Sequence, residues 1–181
     1  MTADRVLGLI PAKAGSTRFP KKNIAMLRGK SLLERAGVAL KNSGVVDDIV
    51  VSTESREVRA VAEQVGLDVP FTRPPELARD PAGVVDVLRH ALSELSAQGR
   101  EYCTAVICLP TCPLRSPEDV RAAWGLHIES GRTVMSVNAF PHTPFAAMKR
   151  SDNGLMEPWF PEFWGRKSQE MPLAYRPNGA V

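Results

Sequence analysis

A chain of 181 residues, 44% hydrophobic and 24% charged, is sized for one globular domain that can bury a core. Its net charge of +3 suits an anionic small molecule but lacks the clustered basic face that nucleic acid demands. With no charged-then-apolar leader and no apolar run of about 18 residues, the expectation is a cytoplasmic protein with no membrane and no nucleic-acid partner.

Val6 to Ile10 is short, branched and apolar, and Pro11 bounds it, which suits a central parallel strand covered on both faces. A basic loop follows, and Ser31 caps a predicted helix to about Ser43, stopped by Gly44. Asp48 to Thr53 reads as the second strand. Ser55 opens a second helix, on which Val58, Val61, Ala62 and Val65 recur at helical spacing before Gly66. A short strand is predicted from Val69 to Thr72, then an irregular proline-rich and charged loop from Arg73 to Asp80. Val84 to Leu95 is a third helix and Thr104 to Leu109 a fourth apolar strand. Ser116, Pro117, Glu118 and Asp119 start a fourth helix with a cap, a proline at the first position and acids in the first turn. Thr133 to Val137 is the predicted fifth strand. Strands alternating with helices of this length imply an α/β fold with a mainly parallel sheet and helices on both faces.

The texture changes after residue 140. Pro141 to Pro172 holds three phenylalanines, two tryptophans and five prolines without a clear period. Such a segment is a lid, a subunit contact or a loop packed back on its own domain. The expected organisation is therefore a nucleotide-binding core over residues 1–140, an extension over 141–175, and the start of a returning core strand over 176–181. Cys103, Cys108 and Cys112 lack zinc-site spacing, and His90, His127 and His142 are scattered, so no His/Cys metal site is proposed.

The stretch with the clearest chemistry is Leu9 to Lys30. Gly15 lets a backbone approach an anion, Ser16 and Thr17 offer hydroxyls, and Lys13, Arg18, Lys21 and Lys22 supply positive charge. A solvated basic turn is the plainer reading. Position favours a phosphate loop, because ligands of parallel sheets bind beyond the carboxyl ends of the strands. Neither G-x-x-x-x-G-K-[ST] nor G-x-G-x-x-G occurs.

Pro11 to Asn23 followed by Leu27-Arg28-Gly29-Lys30-Ser31-Leu32 resembles P-A-R-x-G-S-K-x-x-P-x-K-N and L-x-G-K-x-L of the acylneuraminate cytidylyltransferases. The likeness continues through Ile49-Val50-Val51-Ser52-Thr53-Glu54, Arg73-Pro74 to Asp80, Leu109 to Arg115, and Ser168 to Pro172 with Tyr175 to Ala180. It covers the chain from about Val6 to Val181. The resemblance implies a Rossmann-like nucleotide-diphospho-sugar transferase fold and transfer of CMP from CTP to the anomeric hydroxyl of a nonulosonic acid of sialic, pseudaminic or legionaminic type, releasing pyrophosphate. A Kdo-type acceptor and a non-catalytic nucleotide-binding paralogue are the alternatives.

By the same resemblance Lys13 and Lys22 serve the triphosphate as catalytic cations, and Ala12, Gly15, Ser16, Asn23 and Arg73 bind the nucleotide. Leu109, Lys167, Gln169, Arg176 and Asn178 hold the acceptor. It also implies a homodimer built by the aromatic extension, and Mg²⁺ as cofactor. The chain departs from the pattern in several places. Lys13 replaces an arginine, keeping charge and losing the fork. Gly83 and Val84 stand where a base-contacting Ser or Thr is usual, Leu109 replaces a glutamine, and Cys112 replaces a serine. No metal-binding D-x-D string occurs, so the chain is expected to be a C-terminally short form.

Overall fold

The computed structural model describes residues 5–15 and 19–181. In chain order, β1 is Val6–Pro11, and a 3₁₀ turn at Lys22–Ile24 precedes the tiny hairpin β2 (Met26–Leu27) and β3 (Lys30–Ser31). Its turn places Arg28 at φ 49° and Gly29 at φ 79°, the two positive φ angles that a tight hairpin needs. Then come α1 (Leu32–Ser43), β4 (Asp48–Ser52), α2 (Arg56–Gln64), α3 (Val84–Ser96), β5 (Thr104–Ile107) and α4 (Pro117–Ser130). The chain continues through β6 (Val137–Ala139), β7 (Met148–Arg150), β8 (Met156–Pro158) and β9 (Tyr175–Pro177).

Helix starts follow local chemistry. Ser31 Oγ accepts from Glu34 N–H at 3.0 Å, and Ser55 Oγ accepts from Val58 N–H at 3.3 Å. At α4, Ser116 Oγ accepts from Asp119 N–H while Asp119 Oδ2 accepts from Ser116 N–H, a reciprocal capping box.

The main sheet is parallel, in the order β4-β1-β5, with Leu7 opposite Asp48 and Val6 opposite Thr104. Because side chains alternate along a strand, Val6 and Ile10 face one way and Leu7 and Leu9 the other. The first set joins Leu33, Leu40, Val58, Ala62 and Val120 from α1, α2 and α4; the second joins Ala91 and Leu95 from α3. Helices thus cover both faces of an α/β sheet.

Two predicted strands are corrected. Val69 to Thr72 contributes no strand; only Asp68 makes an isolated parallel bridge, with Val50. Pro70 has no N–H to donate, and Arg59 takes the carbonyls of Val69 and Phe71 at 2.5 and 2.6 Å, so a side chain replaces the sheet partner. Thr133 to Val137 does not extend the parallel sheet either. The strand begins at Val137 and pairs antiparallel with β9, Asn138 opposite Arg176, since the partner that takes up its hydrogen bonds comes from a distant segment. Within the proline-rich loop, Pro75–Ala78 forms a 3₁₀ turn, closed by Leu77 N–H on Pro74 O at 3.0 Å.

The chain forms two compact units. One runs to Met135 and includes Gly179–Val181; the other is Ser136–Asn178, holding the β6-β9 and β7-β8 pairs. Sequence texture placed the divisions near residues 140 and 175.

Candidate active site

Beyond the carboxyl ends of β1 and β5, an open cleft of about 190 Å³ lies within the first unit. Its cationic part is formed by Lys13, Lys22 and Arg73, with Asn23 between them in the lining. An apolar wall comes from Leu77, Val84, Val87 and Leu109, the middle two on the first turn of α3. No carboxylate lines this cleft among the described residues, and neither Lys13 nor Lys22 has an acidic partner among them. Two unneutralised ammonium groups beside an apolar wall suit a ligand with phosphates at one end and a flat, weakly polar group at the other.

The loop after β1 is held from several sides. Asn23 is buried, and its Nδ2 donates to Lys13 O at 2.8 Å. Glu54, just past β4, accepts from Ala14 N–H on Oε1 at 2.7 Å. Its Oε2 accepts from Arg73 Nη2 at 2.6 Å and Nε at 3.2 Å. The Arg73 side chain is only 2% exposed, so this is a buried ion pair at the cleft wall. Burial opposes ionisation of Glu54, but the hydrogen bonds from Arg73 and from Ala14 N–H outweigh it and hold the carboxyl below its usual range.

The far wall is tied to the end of the chain. Arg115 Nη1 donates to Leu109 O at 3.2 Å and Ala180 O at 2.6 Å. Gly179, at φ 73°, lies so close that an added Cβ would sit 2.6 Å from Leu109 Cδ1. Leu109 is thereby fixed in the cleft wall. Beside it Cys108 is fully buried, and burial pushes its thiol up to about 11.

Among the residues singled out from sequence, the cleft gathers Lys13, Lys22, Asn23, Arg73 and Leu109. Ala12 is buried in the core, its N–H donating to Ser52 O at 3.0 Å. Gly15 is exposed and outside the cleft lining, and a Cβ there would meet no atom of the described residues within 4 Å. Ser16, with Thr17 and Arg18, lies outside the described residues. Lys167, Gln169, Arg176 and Asn178 belong to the second unit. There Lys167 and Gln169 are exposed around the 3₁₀ turn at Ser168–Glu170, and the Arg176 guanidinium lies 5.7 Å from the Phe140 ring centroid. Asn178 Oδ1 accepts from Ser136 Oγ at 2.5 Å and its Nδ2 donates to Asn138 Oδ1 at 2.9 Å. Glu54 was not singled out from sequence. The available signal was its place at the acidic end of the Ile49 to Glu54 motif, two residues past the end of β4.

The cleft's side chains do not by themselves fit a magnesium ion, which takes oxygen ligands and prefers carboxylates. No cluster of three or more acidic, histidine or cysteine side chains able to hold a metal occurs among the described residues.

Comparison with known proteins places this geometry in a family. A family model described as "Cytidylyltransferase" matches residues 7–150. The chain is 33% identical over 178 residues to the CMP-N,N'-diacetyllegionaminic acid synthase of Legionella pneumophila, covering 98% of this chain and 76% of that protein. It is 28% identical over 175 residues to the pseudaminic acid cytidylyltransferase of Campylobacter jejuni, covering 96% and 75%. Among solved structures, a CMP:2-keto-3-deoxy-manno-octonic acid synthetase complexed with CTP superposes with a TM-score of 0.59 at 20% identity. That match covers 74% of this chain and 50% of the other, and it shows a shared fold. By the span of the family match and the likeness to the legionaminic acid enzyme, the chain belongs to the cytidylyltransferase family.

Proposed function

We propose that this chain transfers CMP from CTP to the anomeric hydroxyl of a nonulosonic acid of legionaminic, pseudaminic or sialic type, releasing pyrophosphate. The observation that carries the reading is the pair of lysines, Lys13 and Lys22, that line the cleft beyond β1 beside an apolar wall with no acidic partner among the described residues. The acceptor hydroxyl attacks the α-phosphorus and releases its proton to solvent, the bond to the bridging oxygen breaks, and negative charge grows on the departing pyrophosphate. Lys13 and Lys22 bind the triphosphate and stabilise that growing charge. Asn23, by holding Lys13 O, fixes where the first of these cations starts. The apolar wall of Leu77, Val84 and Val87 receives the base, and Arg73 presents its guanidinium already paired with Glu54.

Magnesium enters this proposal as the counter-ion that the triphosphate brings with it. The acceptor assignment to Lys167, Gln169, Arg176 and Asn178 is carried by the motif likeness, as is a homodimer formed through the aromatic extension. We assign the activity to the cytoplasm on the ground of its proposed donor, CTP; separately, no helix of the described residues is long and apolar enough to cross a membrane.

The test is pyrophosphate release with Mg²⁺ and CTP across a panel of legionaminic, pseudaminic, sialic and Kdo acids, with UTP and ATP as controls. Release with CTP and one nonulosonic acid is expected. CTP binding with no release from any acid selects a nucleotide-binding role without catalysis, and a preference for ATP or UTP overturns the assignment of the donor.

A further inference from the structure

The carbonyl of Lys13 and the N–H of Ala14 belong to one peptide group, and both edges of that group are gripped by side chains. Asn23 Nδ2 donates to the oxygen at 2.8 Å, and Glu54 Oε1 accepts from the nitrogen at 2.7 Å. With both edges held, the plane of the peptide cannot swing, and the Cα of Lys13 keeps a fixed heading beside the cleft. The same Glu54 carboxylate takes Nε and Nη2 of Arg73 on its other oxygen, and Arg73 N–H donates to Thr53 O at 3.0 Å. One carboxylate therefore joins two segments, distant in sequence, that both line the cleft. Arg73 Nη1 has no hydrogen bond among the described residues, and the charge of its guanidinium is already balanced.

We propose that Glu54 is a positioning residue for nucleotide binding, which sets Lys13 and Arg73 at a fixed spacing and converts Arg73 from a free cation into an oriented donor. This role rests on the reading of the cleft as the CTP site. Its energetic logic is preorganisation. A loop already held in the binding geometry does not lose freedom when the triphosphate arrives, so the clamp favours nucleotide affinity more than it favours the chemical step.

A glutamine at this position matches the length of glutamate but has one acceptor oxygen where two are used, and its NH₂ faces a donor. An aspartate keeps the charge and both acceptors on a shorter stem. Tyr102→Phe serves as the stability control, because it removes a hydroxyl that donates to Asp48 Oδ2 at 2.5 Å and accepts from Arg100 Nε at 3.2 Å, near the amino ends of β4 and β5.

The experiment measures CTP affinity by calorimetry, kcat and KM by pyrophosphate release, thermal unfolding, and hydrogen exchange of the Ala14 amide without nucleotide, in the wild type, Glu54→Gln, Glu54→Asp and Tyr102→Phe. The expected result is at least tenfold weaker CTP binding and at least tenfold faster Ala14 exchange in Glu54→Gln, with the rise in KM for CTP larger than the fall in kcat. Glu54→Asp is expected to recover most of the affinity, and Tyr102→Phe to lose stability while binding CTP normally. If folded Glu54→Gln binds CTP as the wild type does, or if Tyr102→Phe weakens CTP equally, the positioning role is overturned while the nucleotide reading stands. A folded wild type that binds no CTP overturns both.

Discussion

Lys21 and Lys22 are adjacent in sequence, equal in charge and placed in different surroundings. Lys21 sits at φ 55°, in the left-handed region, and its Nζ meets Glu57 Oε1 of α2 at 2.8 Å. Both partners are more than half exposed, so the pair is screened and contributes little. Lys22, one residue on, lines the cleft and has no acidic partner among the described residues. Lys22→Ala is therefore expected to weaken CTP binding at least tenfold, about 1.4 kcal/mol, and Lys21→Ala to leave it within twofold. Calorimetric titration of both variants checks this, and equal losses would place the triphosphate over the outer face of the turn. The basic character of this loop was legible in composition, and Lys13, Lys22, Asn23 and Arg73 were named from motif spacing alone. What could not be read was which cation stays unpaired, since that is decided by Glu57 and Glu54, residues that reach the loop only through the folded sheet.

At the level of elements, local signals were sufficient wherever a helix began. The serine caps of α1, α2 and α4 each use a hydroxyl on the backbone N–H three residues ahead, an interaction that needs no distant partner. Strands fared worse at Val69 to Thr72, because a strand exists only if something pairs with it. Arg59 on α2 supplies the pairing instead, with Nη1 on Val69 O and Nη2 on Phe71 O. Its removal leaves two carbonyls without their charged donor. Arg59→Ala is expected to lower the free energy of unfolding by about 2 kcal/mol. Arg59→Lys should recover less than half of that, since one ammonium cannot fork to both oxygens. Denaturant titration of the two variants measures it, and a loss below about 0.5 kcal/mol would mean that water serves those carbonyls equally well.

On the scale of the molecule, the two units differ in how they bury apolar surface. The first unit has a conventional core, divided by the sheet into two clusters whose membership follows from strand alternation, and the apolar run Val6 to Ile10 already reads in the sequence as a strand covered on both faces. In Ser136–Asn178 no residue is buried, although Phe145 packs against Phe160 and Phe163 with ring centroids 5.5 and 4.7 Å apart. Trp159 and Trp164 remain 60% and 66% exposed, and Leu155, Met156, Leu173 and Tyr175 are exposed with them. A segment this short, with so many apolar side chains in water, is of marginal stability unless another surface covers it. A second copy of the chain is the occupant implied by the family likeness, and large aromatics are the side chains that dominate such contacts. The expectation is a dimer at about 10 µM by sedimentation, which for a dissociation constant near 1 µM corresponds to about 8 kcal/mol of association. Replacing Trp159 and Trp164 together by alanine should raise that constant at least thirtyfold, about 2 kcal/mol, without lowering the unfolding temperature of the first unit's core. The size of the shift tests the mechanism as well as the state. A dimer indifferent to both indoles would have its interface on the first unit, whereas a wild-type chain still monomeric at about 100 µM would reverse the assignment of this extension to self-association.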